Sequence, residues 1–319
     1  MELRPLGKTD LSVSALCLGT MQFGWTADER SSFAVMDAFV EAGGNFLDTA
    51  DVYRNWAAGG PGGLSEEIVG RWMKERGNGD RIVVATKVRG RMWDGPDGEG
   101  LSRSHITRAV EDSLRRLQIE TIDLYQCHSP DESTPIEETL DVFRELTDAG
   151  KVRYVGASNY SVDQLRESLQ VAGEKRLAQF VSLQPHYNLV HRAEFEVALA
   201  DLCRREAVGV IPYSPLAGGF LTGKYREGQP LPESQRAGRA KRYMTEQGLG
   251  VIERLDATAN ARGATPAAVA LAWLLANPAV SAPIIGANTP EQVAQLLPAT
   301  DLRLSPDELR ALEDASAGL

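Results

Sequence analysis

Short apolar runs alternate along the chain with longer segments whose apolar residues recur at helical spacing. A short apolar run bounded by turn residues predicts a buried strand, whereas helical spacing predicts the buried face of a helix. The pattern predicts strands over residues 16–18, 46–47, 82–86, 122–127, 154–157, 180–183, 210–213 and 282–285. The predicted helices cover residues 28–42, 65–76, 104–117, 135–149, 162–171, 194–205, 246–262 and 266–276.

Eight strand-then-helix units without a break in composition predict one α/β domain over residues 1–319 with a parallel sheet. Eight such units close a (β/α)8 TIM barrel. Residues 3–6 and 11–15 predict an N-terminal β-hairpin, and the helices at 246–262 and 266–276 are extra elements before the last strand. A doubly wound open sheet is the alternative. That fold would be expected to carry a G-x-G-x-x-G phosphate turn, and the sequence contains none.

Polar residues stand where the predicted strands end. Active sites of barrels form at the carboxyl ends of the strands, so these residues are expected to be neighbours. They are Gly19, Thr20, Asp48, Lys87, His128, Ser158, Asn159, Gln184, Tyr213, Ser214 and Gly286. Asp48 ends a buried strand and needs a partner there, because an unpaired buried charge is costly.

Asp48, Tyr53, Lys87 and His128 have the composition of a proton-transfer site. Lys87 close to Tyr53 would favour the phenolate and lower the tyrosine pKa, and Asp48 would keep Lys87 charged and oriented. His128 would donate a hydrogen bond to the oxygen of a carbonyl substrate. The alternative interpretation makes Asp48 a turn residue, Lys87 a solvated charge at the rim and His128 a loop histidine.

Composition and charge exclude several classes of protein. The 319 residues are 43% hydrophobic and 24% charged, which is ordinary for a soluble globular protein. A net charge of -10 argues against binding to nucleic-acid phosphates. The sequence lacks a run of roughly 20 apolar residues that would span a membrane and an N-terminal signal-peptide core. We therefore expect a cytoplasmic protein with neither nucleic acid nor membrane as a partner.

Cysteines and histidines do not predict a metal site. Cys17, Cys127 and Cys203 lie in apolar or helical contexts, which predicts buried, reduced thiols. A catalytic Cys127 beside His128 is the alternative, although neighbours on a strand point to opposite faces. Zinc-ligand spacing is also missing among the other histidines, which are His105, His186 and His191.

Two groups of loop residues suggest ligand contacts. Residues 218–225 approach the P-loop pattern but place Tyr225 where a Ser or Thr would hold magnesium, so a nucleoside triphosphate is not expected. A glycine-rich loop that closes over a phosphate through backbone N–H groups fits this segment better. Trp25, Trp56 and Trp93 follow the first three predicted strands, where they would either line a substrate mouth or pack loops on the rim.

Six motifs in this order resemble those of the aldo-keto reductases, and the likeness runs from about Leu3 to the C-terminal helix. They are residues 45–53, 85–87, 113–128, 150–159, 212–225 and 284–292. The resemblance implies a TIM barrel that binds NADP(H) without a Rossmann domain and reduces aldehydes or ketones reversibly. It also implies that Tyr53 is the general acid, that Lys87 and Asp48 tune it, and that His128 orients the carbonyl.

By the same resemblance, cofactor contacts fall on the strand ends and the loops that follow them. The expected contacts are Gly19, Thr20, Met21, Asp48, Ser158, Asn159, Gln184, Tyr213, Ser214, Pro215, Leu216, Gly218, Leu221, Lys224, Gly286, Asn288 and Gln292. The expected substrate contacts are Trp25, Tyr53, Trp56, Trp93 and His128. Tyr213 is expected to stack on the nicotinamide, and Ser158, Asn159 and Gln184 to hold its carboxamide.

Two residues depart from the family pattern, and other functions remain as alternatives. Arg54 follows the tyrosine where the family often has glycine, and Asn288 stands where close relatives often have a basic residue. The first bears on the shape of the substrate mouth and the second on cofactor preference. The alternatives are a cofactor-binding regulatory barrel resembling the potassium-channel β subunits and an NAD-preferring alcohol or sugar dehydrogenase. An unrelated barrel such as a sugar isomerase would need metal or phosphate ligands that the sequence does not offer.

Overall fold

Eight parallel strands form the centre of the fold and a two-stranded hairpin precedes them. The computed structural model describes residues 1–55, 62–231 and 237–319, so the expected substrate contact Trp56 lies outside the described residues. The hairpin consists of β1 (Leu3–Pro5) and β2 (Ser12–Ser14). The barrel strands are β3 (Cys17–Gly19), β4 (Phe46–Asp48), β5 (Val83–Val88), β6 (Ile122–Cys127), β7 (Val152–Ser158), β8 (Phe180–Gln184), β9 (Gly209–Val210) and β10 (Ile284–Ile285).

Strands β3 to β9 pair in chain order, and β10 pairs with β3. All of these pairings are parallel. A parallel bridge between Val210 and Val280 and a 2.9 Å hydrogen bond from Ile284 N to the Pro212 carbonyl join the two ends of the sheet. The prediction of a (β/α)8 barrel is therefore confirmed, and the carboxyl ends of its strands meet at one end.

The hairpin covers the opposite end of the barrel. Leu6, Leu11 and Val13 from the hairpin segment share one buried cluster with inward-facing strand residues such as Phe46 and Leu124. Gly7 has a φ of 56°, and an added Cβ there would lie 2.5 Å from a backbone oxygen of β8. This close approach requires glycine. The hairpin thus fills the amino end and leaves the carboxyl end for a site.

Helices surround the sheet and bury their apolar faces against it. They are α1 (Glu29–Glu41), α2 (Leu64–Arg76), α3 (Arg103–Leu117), α4 (Ile136–Asp148), α5 (Val162–Lys175), α6 (Ala193–Glu196), α7 (Leu199–Arg205), α8 (Ala237–Lys241), α9 (Glu246–Arg262), α10 (Pro266–Ala276), α11 (Pro290–Leu296) and α12 (Pro306–Ala315). Short 3-10 segments occur at Gly79–Arg81, Ala217–Thr222 and Leu297–Thr300, and the second of these is kinked at Gly218 and Gly219. Among the described residues, none of these helices has the length and apolar character needed to cross a membrane.

The structure corrects several details of the predicted helices. The helix predicted over 65–76 begins one residue earlier, at Leu64, so Ser65 lies inside α2 and does not begin it. The residue before the helix is Gly63, whose φ is 91° and whose added Cβ would clash with Arg116. The side chain of Ser65 is instead buried and bonded to Thr20 and Thr49. The predicted helix at 194–205 is two helices, α6 and α7, and Pro135 precedes α4 rather than beginning it.

Candidate active site

Lys87 connects three oxygen atoms at the carboxyl end of the barrel. Its side chain is fully buried, and its Nζ donates hydrogen bonds to Asp48 Oδ2 at 2.6 Å, to the Thr49 carbonyl at 2.8 Å and to Tyr53 Oη at 3.1 Å. All three donor positions of an ammonium group are thereby used. Lys87 is a buried, oriented charge and not the solvated rim residue of the alternative interpretation.

Strand register explains why these residues meet. Asp48 ends β4 directly opposite Ala85 of β5, and Lys87 lies two residues further along β5 with its side chain on the same face. The backbone of the following loop stays attached to β5, because Asp51 N donates to the Lys87 carbonyl at 3.2 Å. Tyr53 is then brought back over Lys87 by a turn in which its N–H donates to the Ala50 carbonyl at 3.3 Å.

Burial and charge act in opposite directions on the pKa values of this group. Burial alone would lower the pKa of Lys87, but Asp48 and Tyr53 raise it above its ordinary value, so the side chain stays protonated. Burial raises the pKa of Tyr53, and the opposing effect of Lys87 does not cancel it. The prediction that the Tyr53 pKa is lowered is therefore wrong. The sequence pattern indicated that Lys87 is nearby, but it gave no sign that the tyrosine hydroxyl is buried and loses its hydration. Tyr53 keeps its proton at neutral pH.

His128 lies beside the tyrosine at the end of β6. The two ring centroids are 5.9 Å apart and the rings meet edge to face. Burial, with help from the nearby Lys87 and Arg89 charges, lowers the pKa of His128 to about 3. The imidazole is therefore neutral and has one N–H that can donate a hydrogen bond.

Two buried glutamines complete the surroundings of Asp48. Gln184 Nε2 donates to Asp48 Oδ1 at 2.9 Å, Gln126 Nε2 donates to the same oxygen at 3.2 Å, and Gln184 Nε2 also lies 3.3 Å from Gln126 Oε1. Gln126 was not among the predicted site residues. Strand alternation could have found it, since Gln126 and His128 lie two residues apart on the inward face of β6. Both carboxylate oxygens of Asp48 are thus hydrogen-bonded.

Ser158, Asn159 and Tyr213 form a polar group next to this centre. Asn159 Nδ2 donates to the His128 carbonyl at 2.9 Å, and Tyr213 Oη donates to Asn159 Oδ1 at 2.8 Å. Ser158 Oγ donates to the Gln184 carbonyl. The Tyr213 ring stacks on His186 with centroids 5.1 Å apart and an interplanar angle of 11°. The Ser158 hydroxyl and the Asn159 amide could hydrogen-bond the carboxamide of a nicotinamide. The Tyr213 ring, which is supported from behind by His186, could stack on the nicotinamide ring.

The segment after Tyr213 has an unusual backbone. Ser214, Ala217, Gly218, Gly219 and Gly223 all have positive φ values, between 51° and 95°. Two of them are not glycine, and non-glycine residues in this region are uncommon and concentrate at functional sites. Successive N–H groups in such turns create a concave surface that binds anions. Within this segment Leu221 is buried, whereas Lys224 just beyond it is exposed.

The segment after β10 approaches the loop after β3. Thr26 Oγ1 donates to Asn288 Oδ1 at 2.9 Å, and Asn288 N donates to Gln292 Oε1 at 2.7 Å. The Asn288 amide therefore presents its Nδ2 as a donor. Gly286 is exposed at the start of this segment. The structure thus brings Asn288 and Gln292 together beside the loop that contains Met21. Cofactor contact by these residues stays a prediction.

The predicted mouth residues have different surroundings. Trp25 lines an open cavity of about 560 Å³ with mixed walls, in which Leu64 and Ile68 are apolar and Asp28 and Glu29 are charged. Trp93 packs against α3, with its ring 4.8 Å from the His105 ring and 4.1 Å from the Arg108 guanidinium. Substrate contact by these tryptophans stays a prediction.

Arg54, which stands where the aldo-keto reductases often have glycine, has a backbone conformation typical of glycine. Its φ is 81°, the left-handed conformation that glycine adopts without strain. The side chain reaches the preceding loop, where Nε donates to the Gly24 carbonyl at 2.6 Å.

Cys127 does not take part in the site. It points into the helix layer, away from His128, and burial raises the pKa of its thiol to about 12. A thiolate nucleophile is therefore not available at neutral pH. Across residues 1–55, 62–231 and 237–319, no three His, Cys, Asp or Glu side chains are grouped so as to hold a metal ion.

A buried ionic cluster behind the site was not predicted. Glu66 of α2 is fully buried and accepts hydrogen bonds from Arg116 Nε at 2.6 Å and Thr86 Oγ1 at 2.5 Å. Thr86 directly precedes Lys87, so this cluster attaches α2 and α3 to the strand that carries the lysine. Burial, followed by repulsion from Glu66, raises the pKa of Asp51 well above its ordinary value. Asp51 therefore favours its neutral form.

Fold and site together define a barrel enzyme, with its polar and titratable groups at the carboxyl ends of the strands. The chain belongs to the Aldo/keto reductase family, whose model matches residues 15–317. It is accordingly an oxidoreductase of the type that uses a nicotinamide cofactor.

Relatives in this family carry several different descriptions. The chain is 40% identical to "Uncharacterized oxidoreductase YrpG" of Bacillus subtilis (strain 168), an alignment that covers 100% of this chain and 97% of the relative. It is 35% identical to "Probable voltage-gated potassium channel subunit beta" of Oryza sativa subsp. japonica, over 98% of this chain and 96% of the relative. It is 33% identical to "L-glyceraldehyde 3-phosphate reductase" of Escherichia coli (strain K12), over 98% of this chain and 92% of the relative.

Proposed function

We propose that the chain, as a single domain over residues 1–319, is an NADPH-dependent reductase of aldehydes or ketones. The observation that carries this proposal is the buried Lys87 ammonium, placed 2.6 Å from the Asp48 carboxylate and 3.1 Å from the Tyr53 hydroxyl. A protonated tyrosine held by a cation has the chemistry of a general acid whose anion is stabilised as the proton leaves.

Each residue of this group has a distinct role in the proposal. His128, which is neutral, donates a hydrogen bond to the carbonyl oxygen and orients it toward Tyr53. Tyr53 transfers its proton to that oxygen as the alcohol forms, and Lys87 stabilises the resulting phenolate. Asp48 keeps Lys87 charged and fixed, because one of its oxygens accepts from Lys87 and the other from two glutamines.

The surrounding residues fit a nicotinamide dinucleotide. A bound reduced nicotinamide would supply the hydride for the carbonyl carbon. Ser158, Asn159 and Gln184 would hold its carboxamide, and Tyr213 would stack on its ring. The left-handed loop would bind the pyrophosphate through backbone N–H groups, together with Lys224. The expected contacts in this loop and at the adenosine end are Ser214, Pro215, Leu216, Gly218, Leu221, Gly286, Asn288 and Gln292.

A panel of aldehydes, ketones and sugars, assayed by loss of NADPH absorbance, tests the proposed activity directly. We expect aromatic aldehydes to be reduced with a higher kcat/KM than small polar aldehydes such as glyceraldehyde. The reason is that each additional buried methylene contributes about 0.8 kcal/mol. Trp25 is the expected apolar contact, since Arg54 of the tyrosine loop donates a hydrogen bond to the carbonyl of the adjacent Gly24. A higher kcat/KM for small neutral polar aldehydes would contradict the prediction of an apolar substrate mouth. Absence of turnover on every compound would contradict the proposed reductase function.

Cofactor preference is expected to depend on Asn288. Its amide offers a neutral donor to a 2′-phosphate, whereas an arginine would offer charged donors. Hydrogen bonds to charged groups contribute about 1.5–3 kcal/mol against about 1 for typical ones. Asn288→Arg should therefore raise the NADPH-to-NADH ratio of kcat/KM about tenfold, mainly through KM.

The matched control for this change is Asn288→Gln, which alters size without adding charge and should leave the ratio close to that of the parent. An unchanged ratio in Asn288→Arg would place the 2′-phosphate elsewhere. A parent that prefers NADH would reverse the cofactor assignment.

A regulatory subunit is the second candidate, and the observation that favours it is the 35% identity to a probable potassium-channel β subunit. Such a subunit would keep the cofactor site while turning over slowly. Single-turnover oxidation of bound NADPH without steady-state reduction of any carbonyl would favour this candidate over the reductase.

A further inference from the structure

Arg89 lies at the carboxyl end of β5 and contacts the loop that follows His128. It directly follows β5 and stands two residues after Lys87 in the sequence. Its φ of 132° is a strained conformation for a residue with a side chain. Its Nε donates to the carbonyl of Pro130, two residues after His128, at 3.2 Å. The guanidinium charge is close enough to His128 to lower the pKa of the imidazole.

Lys87 and Arg89, the two cations whose charges act on His128, differ in their partners. Lys87 is neutralised by Asp48 at 2.6 Å, and His128 is uncharged. Arg89 is half-buried, and among the described residues it forms no ion pair with a carboxylate. Arg91, two residues further along the same loop, is instead paired with Glu99. Arg89 is therefore a cation without a paired carboxylate in the described parts of the chain, next to the loop that follows His128.

We propose that Arg89 is an anion-binding subsite, and that the preferred substrates are aldehydes carrying a carboxylate or phosphate group. This inference rests on the proposed reductase function and specifies its substrate class. The planar guanidinium has donors beyond the Nε that Pro130 uses, and they match the oxygens of either anion. A cation at Arg89 would select an aldehyde with an anionic end.

Pairs of substrates that differ in charge and little in size test the subsite. The carboxylate pair is para-carboxybenzaldehyde and its neutral amide, para-carbamoylbenzaldehyde. The phosphate pair is glyceraldehyde 3-phosphate and glyceraldehyde. In the parent we expect the anionic member of at least one pair to have a kcat/KM about tenfold higher, and the pair with the larger ratio identifies the anion. Raising the salt concentration should reduce that ratio.

Variants assign the effect to Arg89. Arg89→Gln should bring the ratio to about one by raising KM for the anionic substrate, while leaving the neutral substrate and the KM for NADPH little changed. Arg89→Lys should keep most of the preference, and Arg91→Gln, the matched control in the same loop, should keep all of it. A parent ratio at or below one overturns the subsite. Equal losses on both members of a pair also overturn it, since Arg89 would then act through His128.

Failure of the reductase function can be distinguished from failure of the subsite. If no neutral aldehyde is reduced, the proposed function fails, and ligand-observed NMR with benzoate and benzamide then decides the subsite. Tighter binding of benzoate than of benzamide, lost in Arg89→Gln, supports the subsite without any turnover. Equal binding of the two compounds overturns it.

Discussion

Tyr53→Phe is expected to lower kcat for carbonyl reduction by about 10²–10⁴-fold, the range that general acid catalysis typically contributes. The hydroxyl is the group 3.1 Å from Lys87 Nζ, and the substitution removes it while keeping the ring. The edge-to-face contact with His128 involves only the ring, so the neighbouring side chains should stay in place. NADPH binding, measured by fluorescence titration, should therefore be retained.

The control for this variant is Tyr154→Phe. The Tyr154 hydroxyl donates to Asp10 at 2.9 Å, in the turn of the hairpin that covers the opposite end of the barrel. Removing it should leave kcat unchanged. Reduction by Tyr53→Phe at a rate within a few-fold of the parent would mean that another group supplies the proton.

The sequence pattern predicts the architecture well because a barrel repeats one local pattern, a short apolar strand followed by a helix with one apolar face. Strands β3 to β8 lie within a few residues of their predicted positions, and β6 has the predicted bounds. The last two strands are shorter than predicted, since continuous pairing covers Gly209–Val210 and Ile284–Ile285, and Tyr213 contributes only an isolated bridge to His186. Helical spacing alone does not identify the buried face of α1. Phe33, Met36 and Val40 recur at helical spacing, but the helix buries Ser32, Val35, Met36 and Phe39.

The polar ends of the strands were predictable for the same reason, whereas the partners of these residues were not. Asp48, Lys87 and His128 each end or nearly end a strand, so the barrel rule alone groups them. The Glu66–Arg116 pair joins two helices across 50 residues of sequence, and local periodicity carries no signal for it. The pKa of Tyr53 likewise depends on burial by loops whose course the pattern does not specify.

That buried pair links the helix layer to the catalytic strand. Glu66 is fully buried and the Arg116 side chain is 12% exposed, so each charge depends on the other for compensation. Burial alone would lower the pKa of Arg116, and Glu66 raises it above its ordinary value. On the same helix as Glu66, Ser65 Oγ donates to the Thr20 carbonyl at 2.9 Å. The start of α2 is therefore fixed both to the strand of Lys87 and to the end of β3.

Arg116→Met should lower the free energy of unfolding by about 3–5 kcal/mol, because removing one partner of a buried ion pair leaves the other charge uncompensated. Asp51 beside Glu66 cannot compensate, since it is another carboxyl group. The measurement is urea denaturation followed by far-UV circular dichroism.

Arg115→Met is the matched control on α3. Its side chain is 70% exposed and pairs with Asp112, and such surface pairs contribute at most about 1 kcal/mol. Adding Glu66→Gln to Arg116→Met removes the unpaired charge and should recover much of the loss. Equal stabilities of Arg116→Met and Arg115→Met would show that Glu66 does not rely on Arg116 for its charge compensation.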